Sequence, residues 1–138
     1  MLFLRYLYYT ISCGKSKGEV SWLNANFSVQ GVSILPNSNL ITTELLTRLY
    51  GKLLTITGKI RTVNTVQSDD ATLLELDLNA ELHDIVLFYC VDVTSGTHYQ
   101  CQLDTNTTTG KIYLHTAYMS SDIPKDLELA INIVAYIN

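Results

Sequence analysis

The chain has 138 residues, of which 47% are hydrophobic and only 16% are charged, and its formal net charge is −4. This length and composition predict one globular domain with a single core and exclude a disordered chain. Its nine Lys and Arg residues are too few and too scattered for the basic face of a nucleic-acid-binding protein, and its three cysteines do not make the disulfide framework of a small secreted domain.

The N-terminal segment, MLFLRYLYYTISC, is apolar up to Cys13. Arg5 interrupts the apolar run, which is also too short to span a bilayer, so a first β-strand is the simplest interpretation and no membrane insertion is expected. A lipoprotein signal that ends at Cys13 is the alternative, and it would make the chain a secreted or lipid-anchored bacterial domain. We expect residues 1–40 to form N-terminal strands or an adaptor segment within a single domain, residues 1–138.

Strand-like runs separated by turn residues continue to the end of the chain, which is the pattern of a β-sandwich or barrel. Asn39–Leu49 alone has partly helical spacing, behind Asn39 as a candidate cap, and it predicts at most one helical turn. The predicted strands are Leu2–Ile11, Val20–Val29, Val32–Leu35, Leu46–Tyr50, Leu53–Val63, Thr72–Leu78, Ile85–Val93, His98–Leu103, Lys111–Thr116 and Leu127–Ile137.

Two hairpins are predicted from their turn residues. A two-residue loop of Ser95 and Gly96 would place Cys90 opposite Cys101, where the two thiols either form a cross-strand disulfide or remain reduced, which is the commoner state of directly opposed cysteines. The second hairpin turns through the Thr-rich segment DTNTTTG, in which Gly110 can supply a left-handed residue.

Two strands are apolar on both faces. Ile85 to Val91 is apolar at every position, whereas a strand with one wet face should alternate. In the last strand, one face carries Leu and Ile throughout, and the opposite face becomes apolar towards Val134 and Tyr136. A neighbouring copy of the same chain is the natural cover for such surfaces, so we expect an oligomer.

No constellation in the sequence indicates an enzyme. The carboxylate pairs Asp69/Asp70 and Glu75/Asp77 are better explained as turn and strand residues than as a facing catalytic pair, and there is no nucleophile elbow or phosphate-binding glycine loop. The cysteines and histidines lack metal-ligand spacing. We therefore expect no catalytic residues, no metal and no cofactor.

Aromatic and polar side chains instead indicate a saccharide-binding surface. Aromatic rings stack on the apolar faces of sugars, while Asp and His hydrogen-bond to hydroxyl groups. A structural role in the core or at a subunit contact is the competing interpretation for each residue taken alone. The candidate ligand-binding residues are Trp22, His98, Tyr99, Asp104, Tyr113, His115 and Tyr118.

Residues 45 to 138 resemble the C-terminal head modules of tail-fibre and receptor-binding proteins of phages that infect Gram-positive bacteria. The segments that carry the resemblance are Tyr50-Gly51-Lys52, Thr57-Gly58, Asp104-Thr105 with Gly110-Lys111-Ile112, and Ile133 to Asn138. The chain departs from the family at LELDLNAELHD, where family members often have a proline-containing turn.

The resemblance implies an all-β, antiparallel, jelly-roll-like β-sandwich that assembles as a homotrimer. It also implies a non-enzymatic receptor-binding head, located in the virion at the phage tail tip or baseplate. Its partners would be a host cell-wall polysaccharide or teichoic-acid-type polymer and other tail or baseplate proteins, with no nucleic acid. The alternative is a structural virion subunit, such as a capsid decoration or baseplate connector, that has no saccharide site.

Overall fold

The computed structural model describes residues 29–68, 71–117 and 121–138, and every regular element in these ranges is a β-strand. The all-β prediction is therefore confirmed for this part of the chain, which contains no helix long and apolar enough to cross a lipid bilayer. The predicted strand Leu2–Ile11, and all of Val20–Val29 except Val29, lie outside the described residues. The strands are β1 (Val29–Gly31), β2 (Ile34–Leu35), β3 (Leu40–Tyr50), β4 (Leu53–Thr62), β5 (Thr72–Asn79), β6 (Val86–Asp92), β7 (His98–Thr105), β8 (Lys111–Thr116) and β9 (Glu128–Tyr136).

All nine strands belong to one antiparallel sheet that curls into a half-barrel, in the order β1-β3-β4-β9-β6-β7-β8-β5-β2. This sheet confirms the antiparallel, all-β part of the prediction for the described residues. The strand β9 is the fourth of the nine: Glu128–Tyr136 pairs with β4 at nine consecutive positions, and Leu129 and Ala130 pair with β6. The last strand of the chain thus joins the β3–β4 hairpin to the β6–β7 hairpin.

The segment Val29–Leu35 ties the two edges of this sheet together. β1 pairs with β3 at one edge, and β2 pairs with β5 at the other. Between them, the Val32 amide donates to the Thr47 carbonyl at 3.0 Å, and the Ser33 carbonyl accepts from the Asp77 amide at 2.8 Å. Two consecutive residues therefore bond to opposite edges, which holds the sheet in its curled shape.

The inner face of the curled sheet is the hydrophobic core. Alternate residues of β9, namely Leu129, Ile131, Ile133 and Ala135, are buried as the sequence predicts. Complete burial of one Leu or Ile side chain contributes roughly 1.5–3 kcal/mol. The hydroxyl of Thr62, a fully buried polar residue, has hydrogen-bond partners: it donates to the Pro124 carbonyl at 2.8 Å and accepts from the Leu127 amide at 3.0 Å.

The prediction of a helical turn in Asn39–Leu49 is wrong, because β3 runs through this segment and pairs with β4 along its length. A β-bulge between Thr42 and Glu44 shifts the register there. The bulge breaks the alternation of apolar residues, so the sequence loses the two-residue period of a strand. Opposite it lies Gly58, whose φ of 136° and close approach to the Glu44 carbonyl leave no room for a Cβ atom.

The β6–β7 hairpin forms with a different register from the predicted one. Cys90 lies opposite Tyr99, and Cys101 lies opposite Phe88, so the cysteines are diagonal neighbours on the buried face and both are free thiols. A hydrogen bond with Cys101 and burial raise the pKa of the Cys90 thiol, which keeps it protonated and unreactive. The second hairpin is confirmed, with Gly110 at a φ of 74°.

The Asp92 side chain explains the register of the β6–β7 hairpin. One carboxylate oxygen accepts from the Thr94 amide at 3.0 Å, and the other accepts from the Ser95 hydroxyl at 2.7 Å. The Asp92 carbonyl accepts from the amide of Gly96, which has a φ of 75°. These bonds build a turn over residues 93–96, which is longer than the predicted two-residue loop.

In the single chain, β6 has one buried and one exposed face. Phe88 and Cys90 point into the core, whereas Leu87 and Tyr89 are 61% and 57% exposed. Val134 and Tyr136 are exposed in the same way towards the end of β9. We call these four residues, Leu87, Tyr89, Val134 and Tyr136, the outer apolar face.

Replacing Gly58 by Ala should destabilise the fold by about 3 kcal/mol, because the new Cβ would overlap the Glu44 carbonyl and the residue would remain at a positive φ. Chemical denaturation measures the change in unfolding free energy. Gly31→Ala is the matched control, since no atom lies within 4 Å of the position that its new methyl group would take. Equal stability of the two variants would contradict the role assigned to Gly58.

Stability should depend on pH through Asp92. Hydrogen bonds from Ser95 and Thr94 lower the pKa of its carboxyl group, so the ionised form stabilises the fold above pH about 4 and this contribution is lost as pH falls through the lowered value. We expect the unfolding free energies of the wild type and Asp92→Asn to differ at pH 6 and to converge near pH 3. Asp84→Asn, whose side chain is 87% exposed, should follow the wild type across this range. Parallel curves for Asp92→Asn and the wild type would rule out this contribution.

Candidate functional site

The structure places four of the seven predicted ligand-binding residues on the outer face of β7 and β8. His98 and Asp104 lie on β7, whose alternate residues are buried, and Tyr113 and His115 lie on β8. Cross-strand pairing puts Asp104 directly opposite Tyr113. Tyr99 points into the core and does not belong to this surface, while Trp22 and Tyr118 lie outside the described residues.

Asp104, Tyr113 and His115 form a compact cluster. The rings of Tyr113 and His115 are stacked, with centroids 4.5 Å apart and planes at 16°. His115 Nε2 is 3.9 Å from an Asp104 carboxylate oxygen, and His115 Nδ1 is 3.1 Å from the Thr116 carbonyl oxygen. Because a carbonyl oxygen only accepts hydrogen bonds, Nδ1 carries the proton in this arrangement. His115 is only 6% exposed, so Asp104 is the more accessible polar group of the cluster.

His98 lies on the same face but at the opposite end of β7 from Asp104, so it is not part of this cluster. Its ring meets Tyr89 edge to face with centroids 5.7 Å apart, and its Nδ1 lies 2.8 Å from the Gly96 carbonyl oxygen. These contacts attach His98 to the β6–β7 turn. The sequence-predicted residues therefore divide into two groups and do not converge on one pocket.

A cleft of about 1120 Å³ opens beside Asp104, at the end of the sheet where β7 turns into β8. One wall is the connection between β5 and β6, residues 80–85, and the other is the β7–β8 hairpin. Of the five predicted site residues that the structure describes, only Asp104 lines it. The described residues that line the cleft are Ala80, Glu81, Leu82, His83, Asp84, Ile85, Asp104, Thr105, Thr107 and Gly110.

The 80–85 wall is held by hydrogen bonds to distant parts of the chain. The Leu82 amide donates to the Thr105 hydroxyl at 3.0 Å, which joins the two walls at the base of the cleft. The His83 amide donates to the Tyr136 carbonyl at 2.9 Å, and His83 Nδ1 is 3.1 Å from the side-chain oxygen of Asn138. The end of β9 thus anchors this connection and exposes its side chains.

The hairpin wall is braced from β5. One Glu75 carboxylate oxygen accepts from the Asn106 amide group and from the Thr109 hydroxyl, each at 3.1 Å. Lys111 is hydrogen-bonded to Asp77 at 3.1 Å and to Asn79 at 2.7 Å. The acidic pair noted in the sequence, Glu75 and Asp77, therefore holds this hairpin in position.

The wall residues Glu81, His83 and Asp84 are not among the candidate residues predicted from the sequence. They lie in LELDLNAELHD, the segment at which the chain departs from the phage-head pattern, and this departure was the available signal. The cleft presents carboxylates, threonine hydroxyls and an imidazole beside the apolar side chain of Ile85. Such a lining suits a ligand with hydroxyl groups and apolar ring faces. Within the described ranges, no three His, Cys, Asp or Glu side chains are grouped as a metal site would require.

No protein-family model matches the chain, and no curated protein matches it. Among solved structures, the fold is similar to that of the receptor binding protein (gp15) of Listeria phage PSA, with a TM-score of 0.54. The two sequences are 12% identical, and the likeness covers 94% of this chain and 77% of that chain. At this level of identity, the comparison shows that the chain shares the all-β fold of a phage receptor-binding protein.

Proposed function

We propose that the chain is a non-enzymatic receptor-binding head of a phage, which attaches the virion to a saccharide on the surface of a Gram-positive host. The observation that carries the proposal is the fold shared with the receptor binding protein of Listeria phage PSA over nearly the whole chain. On this proposal the protein belongs to the tail tip or baseplate, where it contacts other tail proteins.

The cleft beside Asp104 is the binding site in this proposal. Saccharide-binding sites combine hydrogen-bonding groups for hydroxyls with apolar surface for ring faces, and both are present there. The hydrogen bonds from Leu82 to Thr105, and from Asn106 and Thr109 to Glu75, hold the walls in place before any ligand arrives. A preformed site of this kind loses less conformational entropy on binding.

The outer apolar face supports assembly into a homotrimer. Leu87 and Tyr136 are 61% and 63% exposed in the single chain, and they lie on adjoining strands with Tyr89 and Val134. Contiguous apolar surface of this kind usually marks a protein contact. A structural virion subunit without a saccharide site would need the same contact, so the apolar face does not separate the two candidate functions, whereas binding at the cleft does.

Filling the cleft should abolish attachment to host cells. In Thr107→Trp, a large side chain replaces an exposed one on the hairpin wall, and we expect cell binding to fall by at least about tenfold without loss of the fold. Binding of fluorescently labelled protein to a panel of intact Gram-positive cells measures this. Gln67→Trp, an exposed position near the Val66–Ile123 bridge and away from the cleft, is the matched control. A wild-type protein that binds no cells, or a Thr107→Trp variant that binds as well as the wild type, would count against the proposal.

A charge placed on the outer apolar face should dissociate the oligomer. We expect the wild type to sediment as a trimer at micromolar concentration, and Leu87→Glu to sediment as a folded monomer, because a buried unpaired carboxylate disfavours the contact. Ile41→Glu is the control, since Ile41 is 54% exposed but lies on β3, which β4 and β9 separate from β6. A wild-type chain that remains monomeric would refute the assembly.

A further inference from the structure

The cleft carries negatively charged groups on both of its walls. Glu81 and Asp84 are exposed on the 80–85 connection, and Asp104 faces them from the end of β7. The Asp84 side chain is 87% exposed, whereas that of Asp104 is 30% exposed. A ligand that enters between the walls therefore meets carboxylates from both sides.

No lysine or arginine is found among the ten described residues that line the cleft. Lys111, which follows the hairpin turn, is directed to β5, where Asp77 and Asn79 accept its hydrogen bonds at 3.1 and 2.7 Å. Its charge is offset by Asp77 and is not aimed at the cleft. The imidazole of His83 is the one basic side chain in the described lining, and it lies 3.9 Å from the carboxylate of Asp84.

Carboxylates only accept hydrogen bonds, so they bind groups that donate. A sugar hydroxyl can donate to Glu81, Asp84 or Asp104, and its ring can lie against Ile85, which is 56% exposed. A phosphodiester has no donor and carries a negative charge, so it would meet acceptors and like charges on both walls. This electrostatic mismatch disfavours the phosphodiester relative to the uncharged sugar, and so it acts mainly on the specificity of binding.

We infer that the cleft recognises an uncharged, hydroxyl-rich saccharide and excludes phosphate-bearing wall polymers. This inference rests on the proposed function, because it concerns the ligand class of the same cleft. It separates two ligand types that the phage-head resemblance leaves together, a neutral cell-wall polysaccharide and a teichoic-acid-type polymer.

The test compares immobilised uncharged glycans, such as glucans, galactans and rhamnans, with poly(glycerol phosphate) in one binding assay. The wild type should bind an uncharged glycan and should bind no poly(glycerol phosphate). Binding to the uncharged glycan should change less than about twofold between roughly 0.05 and 0.5 M NaCl, because no charge pair is formed. Binding that weakens strongly with salt would indicate a cationic ligand and would overturn the inference.

A charge reversal in the cleft provides the second arm. Asp84→Lys should gain binding to poly(glycerol phosphate) of at least about fivefold over the wild type, since it removes one repulsive charge and adds an attractive one. The double variant Gln67→Lys/Ser121→Lys adds the same charge at exposed positions outside the cleft, and it should gain none. Equal gains in the two variants would show that net charge, not the cleft, decides the preference.

The inference and the proposed function fail in different ways. Wild-type binding to poly(glycerol phosphate) that Thr107→Trp abolishes would overturn the inference and would leave a receptor-binding cleft in place. A wild-type protein that binds neither intact cells nor any immobilised glycan would overturn both.

Discussion

The alternation of side chains along β6 and β9 is the constraint on which the rest of the structure depends. Because successive residues of a strand point to opposite faces, burying Phe88 and Ile133 in the core forces Leu87 and Val134 outward. The outward residues at these positions are apolar too, so the single chain exposes hydrophobic surface near the middle of its sheet. The residues that complete the core therefore also fix where this hydrophobic surface is exposed.

The structure separates this surface from the polar cleft. The outer apolar face lies on β6 and β9, which are interior strands of the sheet, whereas the cleft forms at the end of the sheet, where the chain leaves β5 and turns from β7 into β8. Connections can vary without disturbing the ladder of hydrogen bonds, so a binding site placed there can change while the sheet is retained. Ile85 lines the cleft and directly precedes β6, so it marks the boundary between the two regions.

Polar residues that resemble a catalytic or ligand-binding set have structural roles in this chain. Glu75 and Asp77 brace the β7–β8 hairpin, and Asp92 builds the β6–β7 turn. His98 is attached to that turn by its contact with the Gly96 carbonyl. Among the described aromatic and acidic residues selected from the sequence, Asp104 is the one that reaches the cleft, because it lies at the last outward position of β7 before the turn.

The sequence by itself determined the strands from β4 to β9 to within two residues at each end, since alternation and turn residues are local properties of the chain. It also predicted that Leu103 is followed by a return strand carrying Leu114. The register of β6–β7 differs from the prediction for a local reason, since the bonds from Thr94 and Ser95 to the Asp92 side chain lengthen the turn. Only the tertiary structure decided the course of β3, because a bulge opposite Gly58 interrupts its alternation. The cleft likewise depends on long-range pairing: the 80–85 connection takes its position from the Leu82–Ile137 bridge, whose partners are 55 residues apart in the chain and carry no shared local pattern.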